Sequence, residues 1–179
     1  MIEGKELKVL ISREELAARI KELGEEIRKS NEGAEAITVV GVLKGSFMFL
    51  ADLVREIDLP LEVDFLGVSS YGMDTKSSGV VKFTRDLSNS IQGKHVLLVE
   101  DIIDTGLTMA YLLDNFKARN PASVQVCTLL HKPCNQKCEL DIDFKGFTID
   151  DHFVIGYGLD LAERYRNLPY IGYLTDIEG

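Results

Sequence analysis

Apolar residues recur at helical spacing from Leu16 through Ile20 and Leu23 to Ile27, the inner stripe of an amphipathic helix. Ser12 with Glu15 three residues on is a capping box that opens this helix, and Asn31 and Gly33 close it. The pattern then changes. Ile37 to Leu43 is an unbroken apolar run and reads as a strand buried on both faces, while Phe47, Leu50/Ala51 and Val54 mark a second helix ahead of Pro60. Leu61 to Ser69 and Val80 to Phe83 read as strands on either side of a polar stretch, Tyr71 to Gly79. Another buried strand, His95 to Val99, precedes a helix whose inner face carries Met109, Leu112/Leu113 and Phe116 and which runs to Arg119. A turn at Asn120-Pro121 then leads into a last buried strand, Val124 to Leu130.

Strands alternating with helices predict an α/β fold, a mostly parallel central sheet flanked by helices and joined by right-handed crossovers. Ligands of such sheets bind at the carboxyl ends of the strands. The loops after Leu43, after Asp101 and after Leu130 are therefore expected at one edge. No repeat, low-complexity tract or second domain interrupts residues 1–179, so the chain reads as a single domain.

Composition narrows the function classes. At 179 residues and 45% hydrophobic content the chain can build a real core without disulfide support. Cys127, Cys134 and Cys138 are odd in number, as thiols in a reducing compartment would be. Glu3, Lys5 and Glu6 interrupt the N-terminus and Lys44 splits the longest apolar stretch, so neither a secretory leader nor a membrane span is expected, and the cytoplasm is the expected location. The net charge of −9 argues against broad binding of nucleic acid, which needs a basic surface. A phosphorylated ligand must then meet local positive charge, for which Lys44, Lys82, Arg85, Lys132, Arg164 and Arg166 are the candidates, aided by magnesium. His131, Cys134 and Cys138 have a zinc-like spacing without a fourth conventional ligand nearby, and read as a plain polar loop.

The segment Val99-Glu100-Asp101-Ile102-Ile103-Asp104-Thr105-Gly106-Leu107-Thr108 carries the chemistry. It sets three carboxylates between a buried strand and a helix start. Unpaired N–H groups and the positive end of the helix dipole favour a phosphate there; Gly106 lets backbone approach it, and Thr105 and Thr108 add hydroxyl donors. Glu100 and Asp101 beside an anion site make sense if they hold the hydroxyls of a sugar phosphate, or a magnesium ion that the same ligand chelates. Neither the Walker loop nor the three-glycine dinucleotide fingerprint is present.

This segment resembles the phosphoribosyl pyrophosphate signature of type I phosphoribosyltransferases, in the form used by hypoxanthine-guanine phosphoribosyltransferases. Four further segments resemble that family in the expected order: Leu43-Lys44-Gly45-Ser46, Ser70-Tyr71-Gly72, Leu130-His131-Lys132, and Phe153 to Asp160 continuing to Arg166. The resemblance implies a magnesium-dependent transfer of a phosphoribosyl group to N9 of hypoxanthine or guanine, that is, purine salvage. It implies Asp104 as the acid/base group beside purine N7, with Glu100 and Asp101 steadying the ribose hydroxyls as positive charge develops on the sugar. Lys44, Gly45, Ser70, Tyr71 and Arg166 are implied at the pyrophosphate, with an unusual peptide geometry at Leu43-Lys44 and the loop from Tyr71 to Gly79 as a lid. Lys132 is implied as donor to the purine 6-oxygen, Phe153 as stacking partner and the Val154 backbone beside the purine 2-position. Glu100, Asp101 and Asp160 are implied as the carboxylates near magnesium. A small hood lobe is expected to form from the N-terminus and the residues beyond about 132, and the assembly to be a homodimer or homotetramer. Leu107 departs from the polar or basic residue that many relatives carry, which leaves phosphate binding there to backbone amides. Two alternatives stay open: a xanthine-preferring or pyrimidine-directed transferase, and a nucleotide-sensing regulator of the same fold that binds RNA.

Overall fold

A computed structural model describes residues 4–70 and 81–175. The first helix, α1 (Arg13–Ser30), opens as its spacing predicts: the Ser12 hydroxyl accepts from the Glu15 N–H at 3.2 Å, and Glu15 Oε2 accepts from the Ser12 N–H at 2.8 Å. It is preceded by β1 (Glu6–Ile11) and followed by β2 (Ile37–Leu43), α2 (Phe47–Glu56), β3 (Leu61–Ser70) and β4 (Val81–Arg85). Then come β5 (His95–Ile103), α3 (Leu107–Lys117), β6 (Ser123–His131), β7 (Phe144–Thr148), β8 (Val154–Ile155) and β9 (Ile171–Thr175).

Six strands form the main sheet in the order β4-β3-β2-β5-β6-β7, parallel throughout except for the antiparallel edge strand β4. Alternate residues of the central strands point to opposite faces. Ile37 and Val39 of β2, Leu97 and Val99 of β5, and Cys127 and Leu129 of β6 pack with Leu23 of α1 and Phe49 and Leu53 of α2. Val40 and Val42, Val96 and Leu98, and Val126 pack on the other face with Met109, Leu112 and Phe116 of α3. Both faces are thus covered, which is why these strands read as continuous apolar runs. Gly24 lets α1 and α2 touch, since a Cβ there would lie 2.4 Å from the Glu56 carbonyl oxygen.

The order of the strands positions the site. From β2 the chain crosses through α2 to β3 on one side, whereas β5 lies on the other side and feeds α3 and β6 beyond it. The direction of winding reverses between β2 and β5, and a crevice opens at their carboxyl ends.

A second sheet of three antiparallel strands, β1-β9-β8, makes the hood. The expected boundary needs correction, because β7 lies beyond residue 132 yet extends the main sheet, pairing in parallel with β6 from Cys127↔Phe144 to His131↔Thr148. Its short, half-polar sequence Phe-Lys-Gly-Phe-Thr carries little periodicity, and pairing with β6 decides its place. Among the described residues no helix is long and apolar enough to cross a membrane.

Candidate active site at the carboxyl edge of the sheet

The site begins with a strand longer than its apolar run. β5 continues past Val99 through Glu100 to Ile103, because β6 keeps pairing alongside it, with Glu100↔Thr128, Ile102↔Leu130 and Ile103↔His131 in register. Glu100 and Asp101 therefore stand on a rigid strand rather than in a loop.

Beyond the strand, Gly106 takes the N-cap of α3 with φ +80°, and no side chain caps the helix. A Cβ at Gly106 would also come within 3.0 Å of Cys138 Sγ. The loop is braced from outside, where the Lys137 N–H donates to the Thr105 carbonyl at 2.9 Å. Glu100, Ile102, Ile103, Asp104, Thr105, Gly106, Thr108 and Met109 line a recess of about 100 Å³ at the helix start, a volume of phosphate size. Leu107, half-buried, opens the helix beside it. One carboxylate oxygen of Asp104, Oδ1, is buried without a hydrogen-bond partner.

A wider cleft of about 810 Å³ adjoins this recess, lined by Lys44 and Gly45 after β2, Ser69 and Arg85 from β3 and β4, Glu100 and Asp101, and Asp160, Glu163 and Arg166. The Leu43-Lys44 peptide is cis. Gly45 packs directly on the Asp101 carboxylate, where a Cβ would fall 1.5 Å from Oδ2. Arg166 donates through Nη1 to the Gly158 carbonyl at 2.7 Å and pairs through Nη2 with Asp160 at 2.7 Å, while its Nε is buried without a partner. Of the six candidate cations, Lys44, Arg85 and Arg166 line the cleft, and Lys82 and Arg164 are not among its lining residues. Ser70 ends β3, with its side chain outside the described structure, and Tyr71 and the rest of the expected lid lie outside the described residues.

The third part of the edge follows β6. The Lys132 N–H donates to the Ile103 carbonyl at 2.9 Å, which sets Lys132 next to Asp104. Its side chain is 9% exposed, and its ammonium meets Asp151 at 3.5 Å, a long contact that leaves donors free. The same Asp151 accepts from Asn135 at 2.8 Å, and that hydrogen bond, with the charge of Lys132, holds its carboxyl below the usual range. This contact brings the segment with Phe153 and Val154 to Lys132. Phe153 is 58% exposed, unusual for so large an apolar ring, whereas Val154 is buried in β8. His131 instead bonds Gln136 at 2.9 Å, Cys134 is exposed, and no group of three metal-ligating side chains gathers among the described residues.

Electrostatically the site is dominated by the adjacent carboxylates. Loss of solvent, then the negative charge of Asp101, pushes the Glu100 carboxyl well above its usual range. Loss of solvent raises Asp101 as well, against the hydrogen bond from the Ile102 N–H at 2.9 Å and the positive charge of Arg166. The pair holds a proton more readily than two free carboxylates do. Ionising it costs folding stability as pH rises, and a nearby cation reverses that cost.

Glu163 escaped the sequence reading. It bridges Lys44 and Arg166 at 3.0 and 3.4 Å, but in sequence it is one acid in a charged stretch with no periodicity to single it out. Gly158 lies inside the family-like segment Phe153 to Asp160 but had no role assigned from sequence: a Cβ there would lie 2.0 Å from the Gly45 carbonyl oxygen.

The sequence profile of the phosphoribosyl transferase domain matches residues 11–162. A hypoxanthine-guanine phosphoribosyltransferase of Bacillus subtilis is 52% identical over 93% of this chain and 92% of its own length. One of Streptococcus pneumoniae is 49% identical over 98% of this chain and 97% of its own. Among solved structures, a hypoxanthine-guanine phosphoribosyltransferase of Bacillus anthracis superposes with a TM-score of 0.90 at 47% identity, covering 95% of this chain and all of that one.

Proposed function

The chain belongs to the phosphoribosyltransferase family, in its hypoxanthine-guanine branch, and from that premise we propose that the crevice between β2 and β5 transfers the 5-phosphoribosyl group of phosphoribosyl pyrophosphate to N9 of hypoxanthine or guanine. Purine N9 bonds to the anomeric carbon, the bond from that carbon to pyrophosphate oxygen breaks, and the purine proton passes to Asp104. The products are the nucleoside monophosphate and pyrophosphate.

One observation carries the reading. Within a single crevice stand an uncapped helix start, the unpartnered Asp104 oxygen and two desolvated carboxylates, and Lys44 and Arg166 face the same carboxylates across the cleft. The α3 N–H groups and the threonine hydroxyls bind the 5′-phosphate. Glu100 and Asp101 accept from the ribose hydroxyls and stabilise the positive charge that grows on the sugar as pyrophosphate leaves. Lys44, the Gly45 backbone, Ser70, Tyr71 and Arg166 receive the pyrophosphate.

The oxygen donors present fit magnesium, since a desolvated carboxylate pair favours a divalent cation, and one or two carboxylates with phosphate oxygens are the usual magnesium set. When bound through Glu100, Asp101 or Asp160, magnesium supplies charge neutralisation for the phosphorylated substrate. We propose the whole chain, 1–179, as one such domain, acting as a homodimer or homotetramer, which sedimentation velocity distinguishes from a monomer.

Lys132 donates to the purine 6-oxygen, and Phe153 stacks on the ring. An adenine amino group at position 6 would set a donor against a donor. The purified protein, given magnesium, phosphoribosyl pyrophosphate and each of hypoxanthine, guanine, xanthine, adenine and uracil, is expected to convert the first two. Turnover of xanthine or uracil instead would overturn the base pocket. Lys132→Ala is expected to raise the purine KM by about tenfold to a hundredfold, because a hydrogen bond from a charged donor contributes about 1.5–3 kcal/mol. The phosphoribosyl pyrophosphate KM should hardly move, and an unchanged purine KM would exclude the contact.

A further inference from the structure

The two cations expected to receive pyrophosphate already share an anion of the protein. Glu163 Oε2 lies 3.0 Å from Lys44 Nζ and 3.4 Å from Arg166 Nη2, and all three residues line the cleft. These contacts hold the Glu163 carboxyl below its usual range, Lys44 being the larger cause.

The backbone of Glu163 is fixed while its side chain stands largely in solvent. Its N–H donates to Asp160 Oδ2 at 2.8 Å, and Asp160 also anchors Arg166. Ala162, Glu163 and Tyr165 all have positive φ, +50°, +63° and +72°, a turn that L-residues adopt only where surrounding contacts impose it. By contrast, the Lys44 and Glu163 side chains are 68% and 65% exposed. An ion pair in so much water is weak and exchanges readily. The Nε of Arg166 remains a buried donor without an acceptor, so the internal carboxylate satisfies this cation cluster only in part.

We propose that Glu163 is a placeholder for pyrophosphate: its carboxylate neutralises Lys44 and Arg166 in the free enzyme, yields them when the substrate's pyrophosphate arrives, and reclaims them as product pyrophosphate leaves. The inference rests on the phosphoribosyltransferase reading of the site. Pyrophosphate outcompetes the side chain because it brings several charges and several oxygens. The competition weakens pyrophosphate binding and hastens its release, at no loss to recognition of the purine.

Glu163→Gln keeps the shape and removes the charge. Titration of wild type and variant with magnesium pyrophosphate in a calorimeter is expected to give a Kd about two- to fivefold lower for the variant, the range that an exposed ion pair spans. The pyrophosphate dissociation rate should fall by a similar factor, and the affinity for the nucleoside monophosphate should stay the same. Weaker pyrophosphate binding by the variant would make Glu163 a positioning residue for Lys44 and overturn the proposal, as would an unchanged Kd. A wild-type chain that does not bind magnesium pyrophosphate at all would instead strike down the transferase reading on which the proposal rests.

Discussion

Asp104→Asn should lower kcat by about a hundredfold to ten-thousandfold, the range that a positioned general acid or base supplies. Asp104 directly follows a strand that is paired to its last residue, Ile103, and the Lys132 N–H bonded to the Ile103 carbonyl fixes that strand end beside it. Its Oδ1 has no partner although it is buried. A buried carboxylate oxygen left unpaired costs stability, and a protein keeps it where a ligand supplies the missing hydrogen. Asparagine matches the shape but cannot take the purine proton. The affinity for phosphoribosyl pyrophosphate should change far less, because its phosphates and ribose are proposed to contact the helix start, Glu100, Asp101 and the cleft cations. Thermal stability should change little, since asparagine keeps the shape of the side chain. Steady-state kinetics with a direct binding titration separates the effects: equal losses in turnover and in sugar-phosphate binding would make Asp104 a binding group and not the base.

The sequence made the central sheet legible because buried parallel strands leave a simple trace. β2, β5 and β6 each appear as apolar runs, and the stripes of α1, α2 and α3 mark the covering helices. Elements held by pairing alone were not legible. β1, β8 and β9 form a small antiparallel hood from distant segments, and β7 owes its place to β6, so no local periodicity announces them. The ends of strands are ambiguous for the same reason: the apolar run stops at Val99 and the loop is expected after Asp101, yet parallel pairing carries β5 to Ile103.

The candidate site follows the same division. Asp104, Gly106 and Thr108 could be located from a strand-to-helix junction, because the chemistry of that junction is local. Glu163 and Gly158 could not, because each matters through a residue more than a hundred positions away in the chain. Phe153 shows a third situation. Its apolar neighbours alone make it look like core, the family resemblance marks it as a stacking partner, and its exposure beside the Lys132 segment leaves it available to a ring.

Gly45→Ala is expected to reduce kcat/KM for phosphoribosyl pyrophosphate by about a hundredfold, the cost of displacing reacting groups by about an ångström. An alanine Cβ at position 45 would lie 1.5 Å from Asp101 Oδ2 and 2.5 Å from its Cγ. One of the two must move. The Gly45 loop cannot simply retreat, because its carbonyl oxygen is pressed against Gly158, where even a Cβ would be 2.0 Å away. Asp101 has little freedom either, being held by the Ile102 N–H and set where β6 still pairs with β5 on either side of it. Whichever side yields, the carboxylate proposed to hold the ribose and the turn bearing Lys44 lose their relative placement. Overpacking of this kind costs about 1–3 kcal/mol of stability, less than a whole domain possesses, so the variant should fold. A hundredfold loss corresponds to about 2.7 kcal/mol of transition-state stabilisation, which the same displacement can account for. Circular dichroism on thermal unfolding, run beside initial rates at varied phosphoribosyl pyrophosphate, distinguishes the outcomes. A folded variant with wild-type kcat/KM would mean that the contact between Gly45 and Asp101 is not part of the catalytic geometry.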